Sequence, residues 1–91
     1  MNFEAFPGGD LIREGLHDLQ AGRESAAALL VAVGAHRLRR AGLEIPSLSI
    51  DHAEHRLYEL LARTHADSAH SRYNALIRRL VSFERACECG G

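Results

Sequence analysis

The first apolar stripe of the chain runs from Leu11 to Leu19 at helical spacing, with Gly15 on the same face. Asp10 is the predicted N-cap of this helix and Gly22 its C-terminal signal, which places the helix at about residues 10–21. A glycine inside a helix costs ~1 kcal/mol relative to alanine. We therefore expect Gly15 to allow a close contact with another helix.

A continuous apolar segment, Ala26–Ala35, leads directly into the basic stretch His36–Arg40. The segment has no polar face, which is typical of a helix surrounded by other helices. The arginines that follow turn outward and complement the negative end of the helix dipole. The pattern predicts a central helix over residues 23–41 that emerges into water at its C-terminal end.

The ends of this helix carry their own signals. Glu24 is predicted in the first turn, where negative charge suits the helix dipole, and Ser25 is a second candidate for the cap. Gly42 is predicted to stop the helix, with Leu43 folding back on Leu38.

A third helix is predicted over residues 52–63, where Asp51 and Glu54 resemble a capping box. Its apolar face consists of four residues: Ala53, Leu57, Leu60 and Leu61. The polar stretch Arg63–His70 is interpreted as a break, with Thr64 or Asp67 capping the next helix. A single helix that continues through this stretch remains an alternative, because the stretch contains neither glycine nor proline.

The strongest pattern predicts a fourth helix over residues 67–87. Apolar residues recur there at intervals of four and three: Ala69, Tyr73, Leu76, Leu80, Phe83 and Cys87. Ile77 and Glu84 flank this seam. We expect its four large residues to carry burial, either inside the domain or across a dimer: Tyr73, Leu76, Leu80 and Phe83.

These elements predict an all-α fold, a small four-helix bundle-like domain spanning residues 1–91. Residues 1–9 form an N-terminal arm that Phe3 and Phe6 are expected to pin to the body. Residues 88–91 are predicted to be a flexible tail.

Composition favours self-association and excludes a membrane span. Many of the apolar residues are alanine and only 5% of the chain is aromatic, so the core of a 91-residue domain is thin. The longest apolar run is about half of the ~20 residues that a membrane helix needs. No signal peptide is visible and the two cysteines form no disulfide framework, so we expect a cytoplasmic protein.

Arginines supply every basic residue other than histidine, yet the net charge is only −1. Contact with a nucleic acid would use four of them: Arg37, Arg40, Arg72 and Arg79. Because acids balance them nearly one for one, a solvated helix face is favoured over a nucleic-acid surface.

Candidate catalytic and metal-binding residues form weak patterns. Arg63 and His70 have a spacing found in some helical ribonucleases, but chance alone supplies such pairs in this composition. His52, His55 and Glu59 share one helix face, and Cys87 and Cys89 form a Cys-X-Cys pair. Roles without catalysis or metal binding are favoured for these residues: exposed histidines, a buried Cys87 and a frayed C-terminal end.

The function predicted from these observations is a non-enzymatic helical protein-interaction module without a cofactor. It is a homo-oligomer or a subunit of a small cytoplasmic complex. The alternatives are a small nucleic-acid-contacting regulatory protein and a ribonuclease-like or metal-dependent helical enzyme.

Overall fold

The computed structural model of the chain describes residues 5–46 and 50–90. It contains four helices, and the described residues include no strand: α1 Gly9–Gln20, α2 Ala26–Arg40, α3 Ala53–Thr64 and α4 Ala69–Gly90. The all-α four-helix prediction is confirmed. The break between α3 and α4 is also confirmed, because residues 65–68 form a turn.

Helix α2 is the central element, since it packs against α1, α3 and α4. Five consecutive residues of its apolar segment, Ala27–Val31, are buried, as are Ala35 and Leu38. Arg39 and Arg40 are exposed at the end of the helix. The predicted central helix with an emergent basic end is therefore confirmed.

Gly15 lets α1 approach the backbone of α2. A methyl group at Gly15 would clash with the carbonyl oxygen of Ala27 and lie 2.5 Å from Val31 Cγ2. The close helix contact expected at Gly15 is present. It joins α1 and α2 into a tight hairpin.

The apolar seam of α4 enters the core. Leu80, Phe83 and Cys87 are buried, and Tyr73 and Leu76 are half-buried against the same core. The ring of Phe6 packs on Phe83 with 6.2 Å between ring centroids, so this part of the arm is pinned as predicted. Phe3 lies outside the described residues.

Ser25 and Gly42, two of the predicted end signals, mark the ends of α2, but the helix begins at Ala26 and not at residue 23. Ser25 is the N-cap, and its hydroxyl accepts a hydrogen bond from the Ala28 amide at 3.1 Å. Glu24 lies before the helix and not in its first turn. Beyond the helix, Gly42 has a φ of 103°, and the Leu43 amide donates to the Leu38 carbonyl at 3.1 Å.

The predicted caps of α1 and α3 are wrong. Asp10 lies inside the first turn of α1, and the N-cap is Gly8 with a φ of 77°. A methyl group on Gly8 would lie 3.0 Å from the Arg79 carbonyl oxygen, so the left-handed backbone and the close packing on α4 both favour glycine there. The N-cap of α3 is His52 in a left-handed conformation, without a side-chain cap, in place of the capping box predicted at Asp51.

The boundaries of α4 also differ from prediction. The Arg72 amide donates to the Ser68 carbonyl at 2.9 Å, which puts Ser68 at the start of the helix. Neither Thr64 nor Asp67 occupies that position; the Thr64 hydroxyl instead donates back to the Leu60 carbonyl within α3. The helix continues beyond residue 87 to Gly90.

Candidate functional site

Helices α2 and α4 run side by side in the same direction. Gly34 and Arg37 of α2 both face Glu84 of α4. One turn farther along both helices, Arg40 and Glu88 line a shared cavity. The paired residue numbers increase together, so the two C-terminal ends lie at the same side of the molecule.

An open groove of about 360 Å³ lies between these helices, and we call it the α2/α4 groove. Its apolar lining comes from both helices: Val33, Ile77, Leu80 and Val81. Leu80 is buried, whereas the other three are half-buried. The groove therefore combines an apolar wall with access to solvent.

Glu84 is a buried carboxylate in the wall of this groove, with only 5% of its surface exposed. A methyl group on Gly34 would lie 3.1 Å from Glu84 Oε2, so the absence of a side chain at Gly34 leaves room for the carboxylate. Arg37 Nη1 lies 3.7 Å from Glu84 Oε1. Burial raises the pKa of Glu84, and the Arg37 charge only partly offsets this effect.

The polar rim of the groove carries both signs of charge. His36 and Arg37 lie on the α2 side, and Glu54 projects from α3. Burial, followed by the negative charge of Glu54, raises the pKa of the Tyr73 phenol in the same groove. The ring of Tyr73 packs edge-on against Tyr58 of α3, with 5.6 Å between centroids.

Cys87 lies one turn beyond Glu84 on α4 and is buried, with 2% exposure. Burial and the neighbouring carboxylates of Glu84 and Glu88 raise the pKa of its thiol. A thiol held in its protonated form is a weak nucleophile and a weak metal ligand. The side chain of Cys89 lies outside the described part of the chain.

The remaining metal candidates lie on α3 and at its start. His55 Nε2 contacts Glu59 Oε1 one turn away, and both side chains are exposed. His52 is the N-cap of the helix. Among the residues described by the structure, no three histidine, cysteine, aspartate or glutamate side chains converge as a metal site requires.

The four arginines predicted for nucleic-acid contact lie on α2 and α4. Arg37 pairs with Glu84, and Arg79 Nη2 lies 3.3 Å from Asp10 Oδ1. Arg72 Nε donates to Ser68 Oγ at 2.9 Å, and Arg40 lines a cavity with Glu88. Three of the four arginines therefore have a partner within the chain, and nucleic-acid contact stays a prediction.

Arg63 and His70 lie on different helices. Arg63, in the last turn of α3, lines a cavity with Glu24 and Glu59. His70 lies at the start of α4, and its ring Nε2 is 3.2 Å from the side-chain nitrogen Nδ2 of Asn74. A shared ribonuclease site for this pair stays a prediction.

Glu84 and Gly34 are among the groove residues that the sequence pattern did not single out as a site. The available signal is an acidic residue beside an apolar seam, four positions after Leu80. A glycine within an otherwise apolar helix is the second signal. Neither identifies the other, because their pairing depends on the packing of α2 on α4.

No protein-family model matches this chain, and the comparisons with curated proteins and with solved structures also found no match. Within the described residues, every helix is too short or too polar to cross a bilayer.

Proposed function

We propose that this chain is a non-enzymatic helical interaction module that pairs with a second copy of itself through the α2/α4 groove. The observation that carries the proposal is a solvent-accessible apolar wall bordered by charges of both signs. Apolar surface removed from water contributes about 25 cal/mol per Å² to association. The surrounding charges give the two copies an orientation.

Val81 is the apolar residue that best marks this surface. It lines the groove, is half-buried, and lies outside the core cluster formed by the described residues. Leu80, its neighbour, is 4% exposed and belongs to the core. Val81 therefore offers apolar surface that the isolated domain does not use fully.

The charges favour a second copy as the occupant. In a two-fold interface, a surface meets its own counterpart, so a rim of one sign would repel itself. Here Glu54 lies on α3, while His36 and Arg37 lie on α2. A two-fold rotation can place the acid of each copy opposite the bases of the other.

The test is the solution mass of three proteins measured by light scattering after size-exclusion chromatography. The unaltered chain is expected to be a dimer, and Val81→Glu a folded monomer, because a charge would be buried in the interface. Ser82→Glu is the matched control: it adds the same charge at the next position, which is exposed and outside the groove lining. It should remain dimeric.

A monomeric wild-type chain up to millimolar concentration would overturn the proposal. A dimer that survives Val81→Glu but is lost in Ser82→Glu would place the interface on another face of α4. Helical circular dichroism of all three proteins distinguishes loss of association from loss of fold.

A further inference from the structure

Glu84 has few ways to remain charged if the α2/α4 groove closes. Its side chain is 7% exposed, and it lines the groove, so its remaining contact with water comes from the open side. A docked second copy removes that water. An ionised carboxylate deprived of water needs a close compensating partner.

The available partner is poorly placed for that role. The atoms Arg37 Nη1 and Glu84 Oε1 are 3.7 Å apart, beyond the usual length of a charge-assisted hydrogen bond. The Arg37 side chain is 69% exposed, so its charge is largely hydrated. The carboxylate also faces Gly34, which offers no side chain to pair with it.

We propose that self-association through the α2/α4 groove takes up one proton at each Glu84, so that the dimer strengthens as the pH falls. The inference rests on the proposed function, because the groove must close for the linkage to exist. Neutral carboxylic acid groups are far less costly to bury than carboxylates. Arg37 can then turn to solvent or to the acidic rim of the second copy.

The sign of the linkage follows from the environment of Glu84 in the free chain. Burial already raises the pKa of Glu84 there, and closing the groove raises that pKa further. At pH values between the pKa of Glu84 in the free chain and its pKa in the dimer, the dimer therefore binds more protons than two monomers do. Its association constant rises as the pH falls through this window, by up to about tenfold per pH unit for each proton taken up.

Other charged or titratable groups surround Glu84, and their contributions to the pH dependence must be distinguished from that of Glu84. They are His36 and Arg37 on α2, Glu54 on α3, and Tyr73, Cys87 and Glu88 on α4. Of these, His36 is the only imidazole, and it lies on the groove rim beside Arg37. A positive charge on its ring would attract Glu54 of the second copy. A variant at His36 is therefore the necessary control.

The experiment measures the dimer association constant by sedimentation equilibrium between about pH 8 and about pH 5, a range in which ordinary carboxylates stay ionised. The wild-type constant is expected to rise at least tenfold across it. Glu84→Gln, which mimics the protonated acid, should associate at pH 8 as tightly as wild type at pH 5. It should also lose most of the pH dependence.

Two further variants keep the test decisive. Glu84→Asp retains an ionisable group and should keep a pH dependence, whereas His36→Gln should retain most of the wild-type slope. A Glu84→Gln dimer that keeps the full slope, or that is weaker at pH 8, would overturn the inference.

The two proposals fail in different ways. A dimer that is sensitive to Val81→Glu but independent of pH overturns the proton linkage and leaves the interface standing. No dimer at any pH, in wild type or in Glu84→Gln, overturns both. Melting curves of each variant at low concentration confirm that the fold is intact.

Discussion

Two glycines let helices approach α2, and their surroundings differ in kind. Gly15 of α1 packs against backbone, the carbonyl group of Ala27, and against the Val31 side chain. Gly34 of α2 packs against side chains of α4: the end of Leu80 and the carboxylate of Glu84. The first contact closes the α1/α2 hairpin, whereas the second lies in the wall of an open groove.

The comparison separates a contact that serves stability from one that leaves chemistry accessible. A backbone contact has no rotamers and transmits any added volume as strain. Side chains can rotate, and those around Gly34 also border solvent. Glycine therefore brings α1 and α2 into backbone contact at Gly15. At Gly34, between α2 and α4, it leaves room for a buried, titratable carboxylate.

The largest effect is expected from a charge in the core beneath the groove. Leu80→Asp buries an unpaired carboxylate at a site that is 4% exposed, which costs on the order of 3–5 kcal/mol and is expected to unfold the domain. Circular dichroism and thermal melting measure this. Val81→Glu, at the next position, is the control and is expected to stay folded. A folded Leu80→Asp protein with the wild-type melting temperature would show that this part of the α4 seam is not core.

Gly15→Ala should have the next largest effect. The added methyl group clashes with the Ala27 carbonyl, and overpacking of this kind costs about 1–3 kcal/mol. The gain in helix propensity offsets up to ~1 kcal/mol of it. Because the clash is with backbone, the cost should lie in the upper half of this range, and we expect a net loss of about 1–2 kcal/mol in the free energy of unfolding, measured by urea denaturation. A neutral or stabilising substitution would mean that α1 and α2 are not in backbone contact.

Gly34→Ala should cost less, because its neighbours can move. The new methyl group would lie 2.8 Å from Leu80 Cδ1 and 3.1 Å from Glu84 Oε2. Rotation of these side chains, together with better helix propensity, should hold the net loss to about 1 kcal/mol or less. Denaturation of the two alanine variants in parallel checks the ranking; a larger loss at Gly34 than at Gly15 would reverse the comparison.

Local signals in the sequence predicted most of the fold. The intervals of four and three in α4, the serine cap of α2 and the Gly42 stop each depend on residues close in the chain. The cap of α1 could not be found in this way, because Gly8 has no capping side chain and its position depends in part on the contact with the Arg79 carbonyl. Such a contact joins distant parts of the chain and leaves no local pattern.

The candidate site was predicted only in part, for the same reason. The α4 seam drew attention to Tyr73 and Leu80, which do line the groove. The spacing alone does not reveal that Glu84 is buried, because an acid on the flank of a seam is usually exposed. Its burial follows from Gly34, which lies on another helix, and from the parallel alignment of α2 and α4.

The most direct test of the account is a dilution series followed by amide NMR spectra. Dissociation of a groove-mediated dimer should shift the amide signals of Val33, Gly34 and Val81, while those around Gly15 stay in place. Shifts centred on α1, or spectra that do not change with concentration while the mass remains that of a monomer, would contradict the assignment of the α2/α4 groove as the interface.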